Sequence, residues 1–564
     1  MDNNCTEQIV SEDYFDFNIE YNSTFTTVMD NPSICYTTIN NIFSVAHVPN
    51  NLVTPELIQL FGPRIYPSCL GLLDIGSLEA SSITRVRSTP ALNLFGEGVL
   101  IGIIDTGIEY THQAFRYADG SSKIASIWDQ TISSDNAPEG FPYGSEYLQE
   151  QINTALQSED PLSIVPSTDE NGHGTFLAGI AAGVRDDSNN FSGVATDSEL
   201  LVVKLKPAKN NIRDFYHIPH DVPCYQDTDL MIGIEYLYRK SLELQRPISI
   251  CIGLGTSLGS HDGRGILSRY ISQVADQNGV SIAVAAGNEG NRGLHYYGEI
   301  TESEEFETIE LLVASGEIGF TMELWGKPPN TYSIDILSPT GEYIPRIPAR
   351  LGESRVIRFI FEETIINVDC FLVESQTGDE LILLRFQSPT EGLWRFRVYS
   401  NLNLRSSFHI WLSMSNFLKE GTAFITSNPD TTLTEPANAL LPIVSTGYDY
   451  ISQNLYINSS RGFTRDNRFL PDFAAPGVNL IGPGLQNTYT TRSGTSVAAA
   501  HTAGVAALVL EWGIVDNNFP RLDSIDINNF LRRGARRDPS ITYPSTSWGY
   551  GILDLYGAFN SFRE

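Results

Sequence analysis

Four short apolar runs, Val99–Ile104, Leu200–Leu205, Ile248–Ile252 and Val280–Ala286, narrow what this chain can fold into. Each is predominantly apolar, interrupted only by Lys204, Ser249 and Ser281, the pattern of a strand buried on both faces of its sheet. Helical stretches separate them, with Leu230–Leu242 between the second and third. Strand and helix in that rhythm predict an α/β fold, a parallel sheet with helices on both sides. Such sheets gather their functional groups beyond the carboxyl ends of the strands. The first run ends in Asp105-Thr106-Gly107 and the fourth in Gly287-Asn288, so an acid and an amide are expected at one rim.

Two further segments carry reactive side chains. Asn171-Gly172-His173-Gly174-Thr175 leads into a helix of small residues, Phe176–Val184, and its glycines let another backbone approach the imidazole. Arg492-Ser493-Gly494-Thr495-Ser496 leads into the apolar helix Val497–Leu510. Ser496 therefore stands where a helix offers free N–H groups and a partial positive charge, both favourable to an oxyanion. Taken singly, each segment also fits a bland role: Asp105 and Asn288 in turns, His173 at a helix start, Ser496 in a cap. Taken together they supply an acid, a base, an amide donor and a hydroxyl nucleophile.

In that order the segments resemble the subtilisin-like serine proteases (subtilases), over about 79–294 and 425–564. The resemblance implies a subtilisin-like parallel sheet flanked by helices. It also implies that Ser496 is the nucleophile, His173 the general base, Asp105 the acid that fixes the imidazole tautomer, and Asn288 the side-chain oxyanion donor. Gly253-Leu254-Gly255 matches the segment that pairs with substrate backbone, and a partner strand is expected within Pro207–Cys224. Pro442–Tyr448, Phe473–Gly477 and Trp548–Asp554 match further family segments. His112 follows the Asp105 motif but does not occupy the base position. Ala114 stands where many members have a calcium-binding Asp, Arg185–Asn190 departs from the usual calcium loop, and Ala500 replaces a proline. No cofactor is expected; calcium, common in the family, lacks its usual ligands here.

At 564 residues the chain exceeds a single core. The expected division is a small α/β propeptide at 1–78, catalytic parts at 79–296 and 425–564, and an inserted β-sandwich or jelly roll at 297–424. Eight strand-like runs punctuated by glycine mark the insertion, to which rigidification or partner docking is assigned. Tyr117–Asp169 reads as polar surface loops. This layout resembles the Csp germination proteases of clostridial spores. That implies self-cleavage within Leu73–Ser82, a propeptide that stays as bound inhibitor, and a protein substrate, the precursor of a cortex-degrading hydrolase. A pseudoprotease-like scaffold or sensor and a general degradative intracellular subtilase remain the alternatives. The net charge of −31 argues against nucleic acid and anionic membrane surfaces as partners. No apolar run of about 18 residues is read, hence no membrane insertion. The acidic N-terminus lacks signal-peptide character, which predicts an intracellular or spore-associated protein. Six scattered cysteines are expected as free thiols.

Overall fold

The computed structural model describes the chain apart from residues 1–4, 21–32, 41, 55–61, 63–64, 73–78, 349, 351, 403 and 562–564, and without the side chains of 69–72 and 79. Its centre is a nine-stranded sheet. Leu100–Asp105 lies in the middle, with Ile248–Ile252, Val280–Ala285 and Ile443–Asp449 on one side and Glu199–Lys204 and Ile124–Asp129 on the other, all parallel. Short antiparallel strands, Asn454–Leu455 and Ser145–Leu148, close the two ends. Alternate residues of the central strand feed two cores. Ile101 and Ile103 join the core of Ala499 and Ala503, whereas Leu100 and Ile104 join that of Leu230 and Ile234. This two-sided burial is why the run carries no polar alternation.

The helices His173–Ala182 and Thr495–Leu510 pack on one face; Asp227–Glu243 and Ile266–Ala275 belong to the other. Thr495–Val515 is, against expectation, long and apolar enough by length and composition to cross a membrane, but 89% of its apolar window is buried inside the protein. Small side chains at almost every position let it run through the core.

Tyr117–Asp169 is more ordered than its composition predicts. It contains the strands Ile124–Asp129 and Ser145–Leu148 and the helix Gln149–Leu156. Ser126 interrupts the apolar run, yet it is buried because its hydroxyl meets Tyr236 Oη at 2.7 Å.

The insertion forms two antiparallel sheets, six- and five-stranded, face to face around Trp394, Phe396, Phe386 and Phe320. It opens with the strand His295–Ile300, two residues ahead of the expected boundary. Tyr343–Ile347 and Ala423–Phe424 are further strands beyond the eight expected.

At the N-terminus Tyr14–Glu20, Phe43–Pro49 and Cys35–Thr38 make a three-stranded antiparallel sheet. It docks on the catalytic body through Phe15 and Phe17 against Tyr66, which stacks on Phe215, and through Phe43 against Tyr270. Cys5 and Cys35 form a disulfide, correcting the expectation of six free thiols; Cys224, Cys251 and Cys370 are free and buried. Sequence spacing could not show it, because the fold alone brings the helix Thr6–Val10 beside the Cys35 strand.

Candidate active site

Asp105, His173 and Ser496 meet on one line of hydrogen bonds. His173 Nδ1 lies 2.7 Å from Asp105 Oδ1, and Nε2 lies 3.2 Å from Ser496 Oγ. All three side chains are buried. Asp105 accepts a second bond from the Thr106 N–H, at 2.8 Å. A carboxylate on Nδ1 holds that nitrogen protonated and leaves Nε2 as the base facing the hydroxyl.

Asn288 stands beside them at the end of its strand. Its Oδ1 accepts from both the N–H and the hydroxyl of Thr495, each at 3.1 Å, so the amide NH2 end is left as donor. The Thr495 hydroxyl also accepts from the Gly287 N–H at 3.0 Å. Ser496 is the second residue of its helix, where an N–H has no intrahelical partner.

Gly253 touches this group most closely. A Cβ there would fall 3.1 Å from Ser496 Cβ, 3.3 Å from His173 Cε1 and 2.7 Å from Leu177 Cδ1. Leu254 and Gly255 continue the strand, and the chain's own residues pair with it. In Cys69–Leu72, Leu72 lies opposite Leu254 and Gly71 opposite Gly255, antiparallel. Leu70 and Cys69 pair on their other side with Tyr225 and Gln226. Cys69–Leu72 is thus the middle strand of three. The strand expected within Pro207–Cys224 falls just beyond it, at Tyr225–Gln226, because the helix Asn210–Tyr216 occupies that stretch.

No spacing rule marks Asp169, yet it fixes the loop that carries the imidazole. Oδ1 accepts from Thr106 Oγ1, Asn171 N and Gly172 N; Oδ2 accepts from the N–H and hydroxyl of Thr175. Thr106 Oγ1 in turn accepts from Gly174 N at 3.0 Å. The end of the Asp105 strand and the start of the His173 helix are thereby tied together.

The inserted sandwich reaches the flank of these paired strands as well. A crevice beside Ser68 is walled by Tyr216, Ile218, Thr256 and Leu258, and by Glu323, Met414 and Phe417 of the insertion. Thr321 Oγ1 donates to Tyr216 O at 3.0 Å, and Gly259 N to Glu323 Oε2 at 2.9 Å.

His112 lies away from Ser496: its Nε2 contacts Thr488 O and its Nδ1 accepts from Ala114 N. The loop around Asp186 is held by protein donors. Its carboxylate accepts from Gln113, Asn189, Tyr489 and Ser188, and among the described residues no group of three His, Cys, Asp or Glu side chains could hold a metal.

Residues 96–309 and 399–551 match the sequence profile of the Subtilase family. The chain belongs to the subtilase family. Among solved structures this subtilase is similar to the Clostridium perfringens CspB protease, at 33% identity over 85% of this chain and 96% of that one, with a TM-score of 0.76. It is 24% identical to the PII-type proteinase of Lacticaseibacillus paracasei over 86% of its own length and 27% of that protein's. It is 22% identical to the major intracellular serine protease of Bacillus subtilis, over 49% of this chain and 69% of that protein. The subtilase therefore spans about a quarter of the length of the first curated relatives it matches.

Proposed function

We propose that this subtilase is a serine endopeptidase that cleaves its own N-terminal segment and then a specific protein precursor. One observation carries the reading: a segment of the chain lies as a middle strand beside Gly253, itself against the Ser496 and His173 side chains.

In the reaction, Ser496 Oγ attacks the carbonyl carbon of the scissile bond as His173 Nε2 takes its proton. Asp105 holds the imidazole in place and stabilises the imidazolium. The oxyanion that forms is met by the Asn288 amide and the Ser496 N–H. Collapse breaks the C–N bond, and His173 returns the proton to the leaving amine. Water then attacks the acyl-enzyme by the same path reversed.

Residues 1–78 act as a propeptide. Among the described residues the pairing reaches Leu72 opposite Leu254, one position from Gly253, so cleavage is expected at the bonds beyond Leu72. This lies within the region 73–82, of which 73–78 are outside the described residues. After cleavage the propeptide stays as a bound inhibitor, held by Lys209 Nζ on Asp16 Oδ1 at 2.7 Å, Gln226 Nε2 on Asp16 Oδ2 at 3.0 Å, and Asn18 Nδ2 on both Asp227 oxygens.

The groove wall added by Met414 and Phe417 favours a restricted substrate over general degradation. The likeness to the CspB protease supports a narrower role: limited cleavage of a cortex-degrading hydrolase precursor in a germinating spore.

Mass spectrometry of purified wild type beside Ser496→Ala tests the reading. Wild type is expected to split within 73–82, with both fragments co-eluting, while the variant stays whole. A wild type that stays whole would place the chain among scaffolds.

A further inference from the structure

The residue that follows Asn288 is a carboxylate, and its partner lies in the inserted sandwich. Glu289 is 4% exposed. Its Oε2 accepts from Ser415 N at 3.1 Å and its Oε1 from Ser415 Oγ at 3.2 Å. Among the described residues the side chain has no other hydrogen bond and no ion pair. Burial raises its pKa, and the two Ser415 bonds oppose that rise. A carboxylate taken out of water needs such donors. The proteolytic steps given above do not use this pair.

Ser415 is held firmly within its own domain. It opens the turn Ser415–Phe417, just after the strand Ser406–Leu412. Between them, Ser413 donates its N–H to Thr321 O at 3.0 Å, and its Oγ accepts from Thr321 N at 3.2 Å. Thr321 belongs to the strand Gly319–Gly326 of the same sheet. Phe417 N closes the turn on Met414 O at 2.9 Å.

The chain around Asn288 depends on its bonds for its shape. Asn288 and Glu289 stand between two glycines, Gly287 and Gly290, and Gly287 has a φ of +106°. Glycine stiffens a backbone least, so neighbours must fix the pair. On the catalytic side Ser460 does so: its N–H donates to Gly287 O at 2.8 Å, and its Oγ accepts from Glu289 N at 3.0 Å. Gly290 N donates to Asn458 O at 3.0 Å. The Glu289 side chain adds a hold from the sandwich.

We propose that Glu289 is a positioning residue for the oxyanion donor, anchored by Ser415 of the inserted sandwich. Ser415 sets where the Glu289 side chain lies. The single peptide link between the two residues carries that constraint to Asn288, whose amide is kept where the oxyanion forms. The inference rests on the serine-protease reading and gives the insertion a part in it. A misplacement of about 1 Å can cost on the order of 10²-fold in rate, so losing the hold should reproduce part of the loss of the donor itself.

The test is peptide hydrolysis by the purified chain, with inhibition by a peptide aldehyde as second readout. Ser496 adds to the aldehyde carbon, and the oxygen of the adduct takes the oxyanion's place. Glu289→Ala is expected to lower kcat at least about tenfold with KM within about twofold, and to weaken the aldehyde by the same factor as kcat. Glu289→Gln keeps the length and an acceptor for the Ser415 N–H, and should recover most of the loss. Ser415→Ala, which removes one of the two bonds, should lower kcat by about threefold or more. In an Asn288→Ala background neither Glu289→Ala nor Ser415→Ala should cost anything further, because the group they position is gone. Unchanged kcat in both single variants, or an equal loss with and without Asn288, overturns the proposal. Should Glu289→Ala not fold, Ser415→Ala decides by the same readouts. A wild type that hydrolyses no peptide overturns the serine-protease reading and this inference with it; an active wild type with indifferent variants overturns this inference alone.

Discussion

Asp105 and Asp169 are buried carboxylates with different tasks, and substitution should separate them. Asp105→Asn keeps the shape but offers His173 an amide, which admits the wrong tautomer; kcat is expected to fall about 10⁴-fold in a peptide-hydrolysis assay, with little change in KM. Asn288→Ala should lower kcat about 10²–10³-fold through loss of one oxyanion donor. Asp169→Ala strands the Thr106 and Thr175 hydroxyls and three backbone N–H groups. It is expected to destabilise the chain by about 3 kcal/mol in urea titrations and to lower kcat as the imidazole loses its seat. Asp105, His173, Asn288 and Ser496 were legible because tight turns force glycine and threonine around them. Asp169 was not, because its partners are mostly backbone N–H groups, which leave no residue pattern.

Strands buried on both faces announce themselves, so the central sheet could be read from its apolar runs. Ile124–Asp129 could not, since Ser126 and Asp129 are polar, and the bonds that let them be buried include partners distant in sequence, Tyr236 and Ser167. Tyr225–Gln226 is too short for any periodicity. It leads directly into the helix that begins at Asp227, and that residue gives the docked N-terminal sheet a pH dependence. Burial pushes the Asp227 carboxyl up to about 7, against the lowering effect of the Asn18 amide bonds. Asp229, Asp16, Lys206, Lys209 and His47 belong to the same buried cluster. Burial alone would raise Asp16 too, but Lys209 and His47 hold it well below the carboxylate range, so it stays ionised above pH 4. An acid whose pKa is raised in the docked form stabilises that form while protonated and opposes it once ionised. The affinity of the cleaved propeptide, measured by inhibition of peptide hydrolysis, is therefore expected to fall at least tenfold between pH 5.5 and 8.5. Asp227→Asn should flatten the profile.

Across the whole molecule, the sandwich was visible as runs punctuated by glycine, but its extent was not. Tyr343–Ile347 carries Pro345 and is largely exposed, as an edge strand tolerates. The covalent brace of the N-terminal segment was equally hidden. Its disulfide spans 30 residues, and Cys35→Ser is expected to cost the segment about 3–4 kcal/mol, read as weaker propeptide inhibition. With Asp186 already occupied by protein donors, EDTA is expected to shift the melting temperature by less than about 1 °C in calorimetry. Finally, Cys69–Leu72 lies between Leu254–Gly255 and Tyr225–Gln226, the position that the proposed function gives to an extended substrate. While tethered, it competes at an effective concentration on the order of millimolar, whatever the amount of protein present. Cutting the tether turns that contest from an intramolecular one into one governed by dilution. In the proposed processing, a single peptide-bond cleavage would thus convert a permanently occupied groove into one whose availability depends on how much substrate arrives.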